Sequence, residues 1–278
     1  MVINIEEWKR EAERLKFDEG KSWKEVYAAL TPYFPGLEAK QIEEKVRGYL
    51  RTVDRYTPSF PVGVFSDMHA PFDHPDFPYF LKSVFDRYKV RKIICLGDGF
   101  DSHAISNHGA EPCALGAYSE TDLAIQRLKI YYSLFPNVIY IPGNHDQRIA
   151  RMAAKVGIGQ RFLKPIREIL EMPEGWVVKD DEIIVDDVLY THGENCGGKN
   201  GALNKAIRER MSTCIGHNHS FGGVQYSANR RDHIFGLNVG CGINEDTYAF
   251  AYGKHAHQRC TLGCGVVFSK DSAIFVPM

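Results

Sequence analysis

The sequence has almost no net charge, no long apolar run and no set of cysteines that reads as a disulfide framework. Lysine and arginine number 34 against 35 aspartate and glutamate, a formal charge of −1. That excludes a global field steering the chain onto nucleic acid or an anionic membrane, although a local basic patch remains open. No stretch approaches the roughly 20 apolar residues of a membrane-spanning helix. The opening "MVINIEEWKREAERLK" is charged where a signal peptide needs an apolar core, so the expectation is a cytoplasmic protein with no membrane partner. Seven cysteines (Cys95, Cys113, Cys196, Cys214, Cys241, Cys260, Cys264) are odd in number and scattered, as suits reduced intracellular thiols. Cys260 and Cys264 stand near His255 and His257, but the spacing fits no familiar closed zinc site, and ordinary thiols are the reading adopted. Repeats and low-complexity tracts are also missing.

What remains is ordinary globular material, 44% apolar and 25% charged over 278 residues, enough for one large domain plus an appendage. Residues 1–56 have helical periodicity. Trp8, Ala12 and Leu15 lie on one face, Ser22 can cap a helix through Val26 and Leu30, and Ile42, Val46 and Leu50 mark a third. Three short helices resemble a helix-turn-helix or Myb-like bundle. Lys40, Lys45, Arg47 and Arg51 could meet nucleic-acid phosphates, but a solvated face explains them equally, because residues 1–55 hold eleven basic residues and about as many acids. The segment "RYTPSFP" reads as a linker.

From residue 57 the pattern changes to short apolar strands alternating with helices, which argues an α/β fold. Strands are expected at Val62–Ser66, Lys92–Leu96, Val138–Ile141, Trp176–Lys179, Val188–Thr191 and Thr213–Ile215. Helices are expected around Pro78–Arg87, Glu120–Phe135 and Arg148–Lys155. The tail, with runs at Phe221–Tyr226, His233–Val239, Tyr248–Tyr252, Gly263–Phe268 and Ala273–Val276, suggests an antiparallel second sheet.

Polar residues collect where the first strands end. "SDMHAP" brings Asp67 and His69; "GDGFDSHA" brings Asp98, Asp101 and His103; "PGNHDQR" brings Asn144, His145 and Asp146. "HGEN" begins with His192, and "GHNH" carries His217 and His219. Ligand sites of open α/β sheets lie beyond the carboxyl ends of strands. Each piece alone is weak, since a single strand-end histidine is usually structural. The ordered set, imidazole and carboxylate without thiolate, suits divalent transition metals and contains donors for two ions. Gly97, Gly143, Gly193 and Gly216 fit tight turns beside such a site.

The blocks "DMH", "GDGFD", "GNHD", the histidine of "THGE" and "GHNH" resemble, in order, those of the calcineurin-like metallophosphoesterases. The resemblance covers residues 62 to about 220. It implies a four-layer α/β/β/α sandwich following a small helical segment, and phosphoester hydrolysis through a metal-bridging hydroxide. Carried over residue by residue, it implies that Asp67, His69 and His219 hold one divalent metal, that Asn144, His192 and His217 hold another, and that Asp98 bridges them. His145 would face the phosphate, with Asp146 orienting its ring. Manganese is the first expectation for both ions, with iron, zinc, nickel and cobalt as alternatives.

Protein phosphatases of this superfamily carry Arg-Gly after the second block and Glu in the third. Ser102-His103 and Asp146 stand there instead, so the expectation turns to phosphodiesterase and nuclease branches with nucleic-acid or nucleotide substrates. A broad phosphomonoesterase and a non-catalytic nucleic-acid-binding protein are the alternatives. "GDGFDSHAISNH" and "YAFAYGK" also resemble phage metallophosphoesterases. His103 and Arg148 are candidates for contacting substrate, while His74, His108, His233, His255 and His257 are read as surface or packed residues.

Overall fold

The computed structural model describes residues 7–18, 21–56, 59–106, 115–247 and 259–278. The chain divides into two compact units, residues 1–59 and 60–278. In the first, α1 (Glu7–Glu13) runs into a π-helical turn at Arg14–Asp18, followed by α2 (Trp23–Leu30) and α3 (Ala39–Tyr56). Ser22 and Glu25 form a reciprocal cap on α2, each side chain accepting from the other's backbone N–H, which satisfies two donors left over at a helix start. Trp8, Ala12, Leu15, Val26, Leu30, Ile42, Val46 and Leu50 are buried together in a core of their own. Of the basic residues on α3, Arg47 hydrogen-bonds the Tyr27 hydroxyl, pairs with Glu43 and lies over the Trp23 ring. Lys45 lies over Phe34.

The second unit contains two sheets. In the first, β1 (Val62–Phe65), β2 (Lys92–Cys95), β3 (Val138–Tyr140) and β4 (Trp176–Val178) run parallel. Period-two alternation sorts their side chains. Phe65, Cys95, Val138 and Tyr140 face a core shared with α4 (Phe77–Arg87) and α5 (Ala117–Leu134). Val62, Val64, Ile94, Leu96 and Ile141 face the other way, onto Tyr190, Cys214, Phe235 and Leu237 of the second sheet. That sheet has the order β5 (Glu182–Val185), β6 (Val188–Thr191), β7 (Ser212–Ile215), β9 (His233–Val239), β8 (Gly222–Ala228). Its far side carries α8 (Gly201–Glu209), seated so closely that a Cβ on Gly236 would lie 2.2 Å from the Leu203 backbone nitrogen. The layers are therefore α/β/β/α, as the sequence implies. Two further short helices, α6 (Arg148–Lys155) and α7 (Ile166–Ile169), follow β3. No helix among the described residues is long and apolar enough to cross a membrane.

The tail departs from expectation. It does not build an antiparallel second sheet. β8 and β9 join the second sheet, where β6, β7 and β9 are mutually parallel, so that sheet is mixed. The last strands, β10 (Gly263–Ser269) and β11 (Ser272–Pro277), return to the first sheet, with β10 antiparallel to β1. The reason is burial: β10 places Cys264 and Val266 in the helix-side core and Val267 in the intersheet core, so it needs cover on both faces. The expected strand at Tyr248–Tyr252, along with "YAFAYGK", His108, His255 and His257, lies outside the described residues.

Sequence periodicity also misses β5 and α8. β5 is a half-exposed edge strand, and α8 buries only the small residues Gly201, Ala202 and Ala206, which leave no large apolar stripe to read. Gly236→Ala is expected to cost about 1–3 kcal/mol through overpacking against α8, at roughly 2–4 °C of melting temperature per kcal/mol. A thermal melt followed by circular dichroism checks this, and an unchanged midpoint would contradict the close seating of α8.

Candidate metal centre

Register makes the strand ends level. Phe65 pairs with Cys95, Cys95 with Tyr140, and in the other sheet Thr191 pairs with Ile215. The loops after β1, β2, β3, β6 and β7 consequently meet at one edge of the sandwich. There the backbone leaves ordinary geometry: Asp67, His69, Asp98 and His217 have φ of 54°, 52°, 48° and 64°. Left-handed backbone is uncommon outside glycine and costs on the order of 1–3 kcal/mol where surroundings impose it. Ladder-like bonds impose it here, from Asp67 N–H to the Gly97 carbonyl, His69 N–H to Asp98 and Gly242 N–H to Asp67. Two glycines permit the close approach. A Cβ on Gly143 would sit 2.2 Å from Asp98 Oδ1, and one on Gly216 would sit 2.0 Å from Ser66 Oγ.

The expected ligands form two clusters. Asp67, His69 and His219 make one; Asp98, His192 and His217 make the other; a third donor group, Asp101 and His145, shares His69 with the first. Asn144 Oδ1 lies 3.0 Å from His192 Nε2 and completes the second. The resemblance assigns Asp67, His69 and His219 to one ion and Asn144, His192 and His217 to the other. Each carboxylate has one oxygen occupied by backbone and the other turned inward. Asp67 Oδ2 accepts from His217 N–H at 2.8 Å, leaving Oδ1 3.1 Å from His219 Nε2. Asp98 Oδ1 accepts from His145 N–H at 2.8 Å, leaving Oδ2 3.2 Å from His192 Nε2 and 3.8 Å from His69 Nε2. That oxygen therefore lies between the clusters.

The histidines are arranged alike. His192 Nδ1 donates to the Leu96 carbonyl at 2.7 Å, and His69 Nδ1 donates to Asp101 Oδ1 at 2.5 Å. Nε2 of each ring is thereby the nitrogen turned toward the centre, the arrangement by which outer partners fix metal-binding imidazoles. Ring nitrogens nevertheless approach each other, at 3.2 Å for His69 and His219 and 3.3 Å for His192 and His217. Lone pairs so placed need a proton or a cation between them. Neutral imidazole, carboxylate and amide oxygen suit a divalent transition ion in each cluster.

The ionisation of these groups follows from their crowding. Burial disfavours charge on Asp67, yet hydrogen bonds from His219 and His69 hold its carboxyl well below the usual range. Burial likewise opposes charge on His69, but Asp101 and Asp67 outweigh it and raise that imidazole to about 10. His192 is raised to about 9, burial being outweighed chiefly by the Asp98 charge. His217 moves the other way, lowered by burial and then by the charge of His192.

Asp146 does not orient His145. Its carboxylate is turned into the protein, where Oδ2 accepts from Asp98 N–H, Gly143 N–H and the Tyr140 hydroxyl and Oδ1 from Phe100 N–H. A carboxylate one residue along the chain from His145 points to the opposite side of the loop. Asp101 serves instead, lying 3.0 Å from His145 Nδ1 with its own carbonyl at 2.8 Å. Asp101 thus holds two rings, those of His69 and His145. The sequence places it in the second block without assigning it this role; the three-residue spacing from Asp98 was the available signal.

Arg148 donates to the Asp101 and Ser102 carbonyls and lies 3.1 Å from His145 Nε2. His103 Nδ1 lies 3.7 Å from Asp101 Oδ2. Both candidate substrate residues therefore gather around Asp101. Glu120 on α5, unforeseen from the sequence, accepts the backbone N–H groups of His103 and Ala104 at 2.6 and 2.7 Å. Burial raises its carboxyl while these bonds oppose the rise. It anchors the 103–105 turn. Of the histidines read as surface or packed, His233 is exposed and stacks on Tyr226.

Residues 60–232 match the family model described as calcineurin-like phosphoesterase. Among curated proteins none matches the sequence. Solved structures similar to the chain include vacuolar protein sorting 29 from Cryptosporidium parvum, at 10% identity and TM-score 0.39 over 78% of this chain and 95% of that one. YfcE, a phosphoesterase from E. coli, is similar at 15% identity and TM-score 0.36 over 79% and 98%. The nuclease MPE from Pseudomonas putida is similar at 12% identity and TM-score 0.27 over 77% and 87%.

Metal uptake must displace the protons that the raised His69 and His192 carry near neutrality. Affinity for a divalent probe ion such as manganese is therefore expected to rise steeply from pH 6 to about pH 10, past the raised values of His192 and His69, and then level off. Titration calorimetry in buffers of different ionisation enthalpy would reveal proton release, and pH-independent affinity would contradict the assignment. Asp101→Asn removes the anionic partner of His69, so metal affinity is expected to fall about 10–100-fold, measured by the same titration.

Proposed function

The chain belongs to the calcineurin-like phosphoesterase family, a metal-dependent phosphoesterase, and on that premise we propose that it hydrolyses phosphodiesters of nucleic-acid or nucleotide type. The observation that carries this reading is the pair of donor clusters with Asp98 Oδ2 between them. Asp67, His69 and His219 would hold one ion; Asn144, His192 and His217 the other; Asp98 both. When bound, the two ions supply Lewis acidity to the phosphate oxygens and lower the pKa of the attacking water. Manganese is the ion this reading expects, with iron, zinc, nickel or cobalt as the alternatives.

The residues beyond the ligands have separate tasks. His145 is the catalytic residue of this reading. Its backbone N–H fixes Asp98, and its half-buried ring stands 4.4 Å from His69, centroid to centroid. From there it can stabilise the phosphoryl group or protonate the leaving oxygen. Asp101 positions that ring. Asp146, grouped with His145 in the sequence reading, acts through the backbone it holds rather than on substrate. Arg148 and His103 border the same face and offer cationic and hydrogen-bonding contacts to a phosphate. The preference for a diester rests on Asp101 and Asp146 in the second and third blocks. The cytoplasm is the compartment this reading implies; the six described cysteines are free and five of them are buried. Nucleic acid is the macromolecular partner this reading implies, whether the helical unit or the catalytic unit engages it.

Asp98→Ala is expected to lose both ions and to lower the rate on bis-p-nitrophenyl phosphate at least about 10³-fold. Elemental analysis and the chromogenic assay check this together, and survival of both properties would refute the reading. His145→Ala is expected to retain metal and lose about 10²–10⁴-fold in kcat. Faster hydrolysis of p-nitrophenyl phosphate than of the diester would favour a phosphomonoesterase.

A further inference from the structure

The chain is electrically balanced as a whole, but one segment is not. Residues 147–167 contain six basic residues (Arg148, Arg151, Lys155, Arg161, Lys164, Arg167) and no aspartate or glutamate. Three of the six are already engaged. Arg148 holds the Asp101 and Ser102 carbonyls, Arg151 pairs with Glu194, and Arg167 donates to the Pro173 carbonyl. Lys155, Arg161 and Lys164 are exposed, and among the described residues no carboxylate pairs with them. Apolar surface is interleaved with these cations. Phe162 is 81% exposed and Val156 73%, with Met152 and Ile158 also open to solvent. An aromatic side chain between unpaired cations is poorly explained by a solvated face, which would carry acids and few large apolar groups.

The segment adjoins the metal centre. It begins two residues after His145, and its later turn lines a cleft with the same loop. An apolar cleft of about 230 Å³ has Pro142, Asp146 and Gln147 on one side and Gln160, Lys164 and Ile166 on the other. A second cleft of about 230 Å³ runs from Asn144 and His192 past Gln147 to Arg151. Pro142 and Gln147 line both. Gln160 and Lys164 of the basic turn and the candidate ligands Asn144 and His192 thus border clefts that share these two residues.

We infer that residues 148–164 form a track for single-stranded nucleic acid leading to the metal centre. Lys155, Arg161 and Lys164 hold successive phosphates, and Phe162 stacks on an unpaired base. Cations that follow a backbone and an aromatic face that takes any base are the elements of sequence-tolerant single-strand binding. A duplex keeps its base faces stacked inside and offers nothing to Phe162. The inference rests on the centre being a phosphodiesterase site, because that is what gives a strand on this track something to enter.

The test uses the metal-loaded full chain and a fluorescein-labelled, cleavage-resistant phosphorothioate oligo(dT) of twelve nucleotides, followed by anisotropy across a salt series. The triple variant Lys155→Gln/Arg161→Gln/Lys164→Gln is expected to raise Kd at least tenfold. It should reduce the slope of log K against log salt by about 2, three phosphates at roughly 0.7 each. Phe162→Ala is expected to raise Kd at least fivefold with the slope unchanged. Both variants should retain the parent's melting temperature and its rate on bis-p-nitrophenyl phosphate. Parent-like affinity and slope in the triple variant would overturn the track, as would duplex bound as tightly as the single strand. Capture by phosphatidylserine vesicles with no oligonucleotide binding would overturn it in favour of a membrane surface. Oligonucleotide bound through these residues by a protein inert on the small diester would sink the phosphodiesterase reading and leave the track standing.

Discussion

The Asp146 carboxylate accepts from four groups at once, the backbone N–H groups of Asp98, Phe100 and Gly143 and the hydroxyl of Tyr140. It is buried, and burial together with the Asp98 charge pushes it up to about 6 despite those bonds. A carboxylate in that position is costly, and its return is positional. It binds the loop after β2 to the loop after β3, so Asp98 and Asn144 move as one body. Asp98 in turn accepts from His145 N–H, and Asp67 accepts from His217 N–H. The first sheet is thereby tied to itself through Asp146 and to the second sheet through Asp67. The strained φ angles of the donor residues persist because this mesh over-determines them.

The mesh uses each side chain twice. One end of Asp67, Asp98, His69 and His192 is spent on protein, and the other is left facing the centre. That economy explains why the site consists of aspartate, asparagine and histidine: each has two polar atoms far enough apart to serve two directions. It also separates the two carboxylates of the third and second blocks. Asp146 turns both oxygens to protein, whereas Asp101 turns one oxygen to His69 and His145 while standing beside Arg148 and His103.

Much of the centre was legible because strand ends are marked by local sequence. Asp67, His69, Asp98, Asn144, His192, His217 and His219 all lie in loops that follow apolar runs, and the fold brings those loops to one edge. What could not be read depends on side-chain direction or on packing across the fold. Asp146 lies next to His145 in sequence yet points away from it. Glu120 looks like any charged residue near a helix start until the 103–105 turn is seen resting on it. Helix α8 was invisible because close seating selects small residues. The tail's division between the sheets was hidden because a strand buried on both faces has no alternation to assign it to either one.

The antiparallel pairing of β10 with β1 joins segments some two hundred residues apart, and its neighbourhood reaches the donors directly. Gly242 N–H holds the Asp67 carbonyl, and Thr261 N–H holds that of His219. Contacts of such long range form late, because loop-closure entropy must be overcome before they give anything back. A nascent chain emerging from the ribosome would carry every donor residue by position 219 yet still lack the strand that frames them. The frame of the site is therefore completed by a strand that follows every donor in sequence: a chain ending before Gly263 would hold all the donor side chains without the β10–β1 ladder beside them.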